Sequence, residues 1–211
     1  MDAWVEAVAW IGERDPAMAR FAAHAGPCTL VRRRHEGGAF AALARSIVYQ
    51  QLATKAAASI HARFAALYGG RPTPDAVLRT DDTDLRAVGL SAAKAAAVKD
   101  LAAKVSDGTV RLGAIGRVGN DEIVARLCTV RGIGPWTAEM FLIFQLNRPD
   151  VWPVGDLGVR AGYARIHGMA TIPTPRELNE LGEAYRPWRT VAAWYCWRAV
   201  DSGVSSPPAG W

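Results

Sequence analysis

Between residues 127 and 138 the chain reads Leu127-Cys128-Thr129-Val130-Arg131-Gly132-Ile133-Gly134-Pro135-Trp136-Thr137-Ala138, two glycines separated by one apolar residue and followed by a proline. A Gly-x-Gly step lets the backbone turn sharply between helices. Proline is tolerated in the first helical turn, where its missing N–H would have no intrahelical acceptor anyway. The next helix therefore begins with outward-pointing amides, an end suited to phosphate. After an apolar helix-like stretch, a second break brings Pro153-Val154-Gly155-Asp156-Leu157-Gly158-Val159-Arg160. One carboxylate arrives there, where a connection between helices can hold it beside whatever the first turn grips.

The 211 residues suffice for one good core, or for two small helical subdomains sharing a cleft. Half of them are apolar, alanine is abundant and Val-Ile-Thr alternation is scarce, so an all-α fold with almost no sheet is expected. The net charge of +5, from 25 basic and 20 acidic side chains, suits a polyanion partner but is shared by many other proteins. Cys28, Cys128 and Cys196 are odd in number, far apart and set in apolar surroundings, and read as reduced core thiols. No Cys or His spacing offers a zinc or iron–sulfur site. The four histidines read as surface or packing residues. Met1-Asp2-Ala3-Trp4-Val5-Glu6 is acidic, unlike a signal peptide, and no apolar run reaches membrane length. A soluble, cytoplasmic monomer is the expectation.

Punctuation along the chain predicts one or two helices over 4–25, broken near Asp15-Pro16, then a linker through Arg32-Arg33-Arg34 to Gly37-Gly38. Residues 39–68 read as two helices broken near Gln50-Gln51-Leu52. Further helices are predicted from Pro74, over 81–84 towards Gly89, over 92–105 capped by Ser91, and over 121–128 capped by Asn120, with a loop over 110–119. The glycine hairpin opens a helix over 135–146; others follow over 156–166, over 175–185 and from Pro187, and residues 203–211 read as a frayed tail.

With these residues in hand, the chain resembles the helix-hairpin-helix DNA glycosylases, and within them the 3-methyladenine DNA glycosylase II family, which removes alkylated bases. The stretches that carry the resemblance are residues 127–138, 155–160, Ala44-Arg45-Ser46-Ile47-Val48-Tyr49-Gln50-Gln51-Leu52, Gly89-Leu90-Ser91-Ala92-Ala93-Lys94, and 185–198, in the family's order. Relatives that also cut the backbone carry a hairpin lysine where this chain has Trp136, and a Schiff base to the sugar requires that amine. The resemblance therefore implies hydrolysis alone. It implies two helical subdomains with a cleft between them, one from 1–36 and 151–211, the other from 37–150, with Asp156 at the mouth of the cleft.

A glycosylase must take its target nucleotide out of the stack, so it needs a grip, a wedge and a pocket. The resemblance gives the grip to Gly132, Gly134, Trp136 and Thr137, with the carbonyls of Cys128, Val130 and Ile133 as candidate ligands of a structural Na+ or K+; no cofactor is otherwise implied. Gln51 matches the wedge position, with Leu52 the alternative. Trp136 and Trp197 match pocket positions, Met140 lies one turn beyond Trp136, and Tyr49 is a further candidate. Aromatic faces attract cations, which would select a positively charged alkylated purine. Trp4, Trp10, Trp188 and Trp194 are assigned to core packing, and Trp152 to either role. Asp156 is the catalytic candidate, since a carboxylate stabilises the positive charge that grows on the sugar and can orient water; it could equally cap a helix. Arg160, one turn on, could pair with it or with a phosphate. Arg45, Lys55, Arg131, Arg186 and Arg189 are candidates for phosphate contacts on double-stranded DNA. The implied reaction is excision of alkylated purines from damaged duplexes, with two alternatives: a non-catalytic helix-hairpin-helix DNA-binding module, or a glycosylase for deaminated or oxidised bases.

Overall fold

Asp15 ends one helix and starts the next, its carboxylate accepting the amides of Ala17 at 2.9 Å and Met18 at 3.0 Å. The same economy of capping runs through the computed structural model, which describes residues 3–30 and 37–201, with only the backbone of Ala114. The linker expected around Arg32-Arg33-Arg34 and the tail expected from Gly203 lie outside the described residues.

The helices are α1 (Ala3–Arg14), α2 (Pro16–Ala25), α3 (Gly38–Tyr49), α4 (Thr54–Ala66), α5 (Pro74–Arg79), α6 (Asp82–Ala87), α7 (Ala92–Ser106), α8 (Asn120–Cys128), α9 (Pro135–Phe144), α10 (Leu157–Ile166), α11 (Pro175–Leu181) and α12 (Arg189–Val200). No strand occurs among the described residues, and no helix there is long and apolar enough to cross a membrane. Ser91 caps α7 through the Lys94 amide, and Thr174 and Glu177 form a reciprocal capping box on α11.

Three local expectations need correction. Residues 112–117 wind into a 3₁₀ helix rather than a loop, two turns that Gly113 and Gly116 hide from pattern reading. Asn120 is the first residue of α8 instead of its cap, because the extended cap conformation falls on Gly119. The last helix starts at Arg189, with Trp188 at the cap position.

The chain divides into two compact units, which within the described residues are 3–30 with 147–201, and 37–146. In the first, α10 lies along α12, α1 packs on α2, and Trp4, Ile11, Met18, Tyr185, Val191 and Tyr195 are buried. In the second, α7 packs against α5 and α3, α8 against α9, and Leu43, Ile47, Phe64, Leu101, Leu127 and Phe141 are buried. Asn147 follows α9 at φ 53°, a left-handed conformation that asparagine tolerates better than most residues.

Trp10 is not a core residue. It sits at the surface with the Arg14 guanidinium 3.3 Å from its ring centroid, donating its indole N–H to the Arg186 carbonyl. His167, read as a surface or packing residue, takes the packing role. Its Nε2 lies 2.7 Å from Asp15 Oδ2, which also accepts the Tyr185 hydroxyl, and its ring stacks on Tyr163 at 3.9 Å. Burial pushes the Asp15 carboxyl up, but hydrogen bonds from Tyr185, the Met18 amide and His167 outweigh it and hold the group below its ordinary 3.8. A carboxyl whose folded pKa is depressed stabilises the fold above its unfolded value, and that stabilisation is lost as pH falls through the folded value. Asp15→Asn is therefore expected to lower stability by about 2 kcal/mol at neutral pH and to flatten the stability loss below about pH 4. Thermal unfolding between pH 3 and 7 checks both effects.

Candidate active site

Asp156 stands at the N-cap of α10, in the first unit. Its Oδ1 accepts the Val159 amide at 2.9 Å and the Trp197 indole N–H from α12 at 3.1 Å, and the residue is 8% exposed. Capping and a fixed carboxylate are thus one arrangement.

Two glycines make it possible. A Cβ on Gly158 would lie 3.0 Å from Asp156 Oδ1 and 3.1 Å from Trp197 Cδ1, and one on Gly162 would lie 1.9 Å from the Cys196 carbonyl oxygen. Four residues apart, they share one face of α10 and let α12 approach until Trp197 reaches Asp156. The sequence carries a signal for this, the spacing of two glycines inside a helix, that the motif reading did not use.

Arg160 forms no ion pair with Asp156 among the described residues; its Nε donates to the Pro173 carbonyl at 2.7 Å. Trp152 belongs to the core, donating to the Leu178 carbonyl at 2.8 Å and packing edge-on against Tyr163 and Tyr185. Arg189 must be corrected as a phosphate contact. Its side chain is 12% exposed and paired with Asp150 at 2.5 Å and Glu183 at 3.4 Å, so its charge is already satisfied within the protein. Arg186 pairs with the same two carboxylates.

The second unit carries the hairpin. Gly132 has φ 79°, and a Cβ there would stand 3.3 Å from the Ala97 methyl of α7. Gly134 is the N-cap of α9 with an ordinary φ of −99°; its bareness leaves open space at the helix start instead of enabling a left-handed turn. The Ala138 amide makes the first helical bond, to the Gly134 carbonyl at 3.1 Å, so the preceding amides have no intrahelical acceptor. Among the described residues no hydrogen bond reaches the carbonyls of Cys128 or Ile133, while that of Val130 accepts the Ile133 amide at 3.0 Å. Carbonyl oxygens left in this state fit a weakly held monovalent cation.

Across from the hairpin, α3 stops at Tyr49 and α4 starts at Thr54. Between them Gln51 takes φ 54° and is exposed, as is Leu52. The hairpin and this turn border a hollow of about 560 Å³, with Tyr49, Gln51, Leu52, Gly132, Trp136 and Thr137 on its walls. Trp136 is 38% exposed there. Met140 must be corrected as a pocket residue, because it is fully buried and presents no surface to a ligand. The Arg45 guanidinium lies 4.3 Å from the centroid of the Tyr49 ring, and Lys55 is exposed in the first turn of α4.

The family model of HhH-GPD superfamily base excision DNA repair proteins matches residues 44–187, and the chain belongs to that superfamily. Its sequence is 40% identical over 159 residues to DNA-3-methyladenine glycosylase 1 of Schizosaccharomyces pombe, covering 74% of this chain and 70% of that protein. Among solved structures, a DNA-3-methyladenine glycosidase from Bacillus halodurans superposes with a TM-score of 0.86 at 32% identity, covering 93% of this chain and 89% of that one. The Schizosaccharomyces pombe 3-methyladenine DNA glycosylase Mag1 in complex with abasic DNA superposes with a TM-score of 0.79 at 35% identity, covering 92% and 95%.

Proposed function

We propose that the protein is a monofunctional DNA glycosylase that hydrolyses the N-glycosidic bond of alkylated purines, of the 3-methyladenine and 7-methylguanine type, in duplex DNA. The observation that carries the reading is Asp156, a largely buried carboxylate fixed by two donors on one oxygen and set against an indole. A DNA-binding module that only grips phosphate needs no such group.

As the bond to the base lengthens, positive charge grows on the sugar, and the Asp156 carboxylate stabilises it and orients the attacking water. A cationic alkylated base leaves as a neutral molecule, so no general acid is needed. The indole of Trp197 supplies an electron-rich face beside the carboxylate. On the second unit, the α9 amides bind a backbone phosphate, and Gln51 or Leu52 fills the gap left by the flipped nucleotide. Trp136 stands where a lyase lysine would be needed, so the product is an intact strand with an abasic site. The Cys128, Val130 and Ile133 carbonyls would hold Na+ or K+ when bound, tying the hairpin to that phosphate; duplex affinity at equal ionic strength should then be lower in a bulky organic cation. In a bacterial cell, work on chromosomal DNA would keep the protein in the cytoplasm with the nucleoid.

The test is incubation with methylated duplex DNA, followed by chromatography of the released bases. Free 3-methyladenine or 7-methylguanine is expected, with strand breaks only after alkali. Duplex binding without base release would leave the DNA-binding module as the function.

A further inference from the structure

One face of α7 carries Lys94, Ala97, Asp100 and Lys104, three, three and four residues apart, the steps that bring side chains to one side of a helix. Each of the four meets one of the two turns that border the hollow. Lys94 Nζ donates to the carbonyls of Val48 and Gln50, both at 2.7 Å, at the end of α3 where carbonyls have no helical partner. The Ala97 methyl lies 3.3 Å from where a Cβ on Gly132 would stand, so the bare glycine is what lets the hairpin come this close to α7. Asp100 Oδ2 accepts the Arg131 amide at 2.7 Å, and Lys104 Nζ donates to the Thr129 carbonyl at 2.5 Å and to Asp100 at 2.7 Å. Gln50 then joins the turns directly, its Nε2 donating to the Gly132 carbonyl at 2.8 Å and reaching the Thr137 hydroxyl at 3.4 Å.

We infer that α7 is a positioning element that holds the Gln51-Leu52 turn in register with the phosphate-gripping hairpin, with Lys94 and Gln50 as its positioning residues. The inference rests on the base-flipping reading above. None of these side chains has to touch DNA. Their work is to ensure that a phosphate held by the hairpin sets Gln51 and Leu52 at the adjacent gap. Removing the Lys94 ammonium releases two carbonyls of the wedge turn while Asp100 and Lys104 still hold the hairpin, so gripping and wedging come apart.

The test compares Lys94→Met and Gln50→Leu with the wild type, after thermal unfolding has shown which variants are folded. Fluorescence anisotropy is read on an undamaged duplex and on one containing a tetrahydrofuran abasic analogue. Preference for the abasic duplex should fall about tenfold, a loss of about 1.4 kcal/mol, while affinity for undamaged DNA stays within about twofold. 7-Methylguanine placed opposite a one-nucleotide gap needs little wedging, and its excision should return to within about threefold of wild type. Equal loss on both duplexes, or no loss on either, overturns the inference, and Gln50→Leu decides alone if Lys94→Met does not fold. A wild type that prefers the abasic duplex yet releases no methylated base would instead reject the glycosylase reading, leaving the binding comparison to decide on α7.

Discussion

Asp156→Asn is expected to slow single-turnover release of 3-methyladenine by about 10²- to 10³-fold, with affinity for a lesion duplex within about threefold of wild type. The substitution is sparing. Asparagine caps helices as well as aspartate does, and its amide oxygen can still accept from the Val159 amide and the Trp197 indole. What disappears is the negative charge. At about 4 Å and an effective dielectric constant near 20, a charge pair is worth about 4 kcal/mol, or roughly three decades in rate, so the magnitudes agree. Chromatographic time courses under enzyme excess measure the step without product release. A variant that turned over at near-wild-type rate would remove Asp156 from the chemistry and leave it a helix cap.

Gly162→Ala should be the most damaging single methyl in the first unit. Its Cβ would stand 1.9 Å from the Cys196 carbonyl oxygen and 2.4 Å from the carbonyl carbon, both backbone atoms of α12 that cannot rotate away. The two helices must separate, at a cost of about 3 kcal/mol, or about 10 °C in Tm for a chain of this size. Separation also draws the indole of Trp197 away from Asp156, so excision should fall further than the lost folded fraction explains. Gly155 is the control, since a methyl there meets nothing within 4 Å. Calorimetry on both variants, with excision normalised to the folded fraction, separates the two effects.

What was legible in the sequence was local. A cap three residues before its amide and a proline in the first helical turn are readable over a few residues, and Ser91, Asp156 and Pro135 stand in those roles. The break at Gln50-Gln51-Leu52 was equally plain. What escaped depends on partners far along the chain. Arg189 meets Asp150 from 39 residues away, and Asp15 meets His167 and Tyr185 across 152 and 170 residues. Periodicity does not reveal such pairings, so a charged residue near a DNA-binding motif reads as a phosphate contact even when a carboxylate already holds it. Met140 failed for a related reason. It lies on the same helix as Trp136, and helical spacing could not say that one ring would be open and the other side chain buried.

The central claim is that a fixed carboxylate meets a positively charged sugar, and a duplex carrying a pyrrolidine in place of the abasic sugar tests it most directly. Its protonated ring nitrogen imitates the charge of the transition state, and the tetrahydrofuran duplex is its neutral counterpart. The wild type should bind the pyrrolidine duplex at least about a hundredfold more tightly than the neutral one, and Asp156→Asn should erase most of that difference while leaving neutral-duplex affinity in place. An equal preference for the cationic duplex in both proteins would contradict the account.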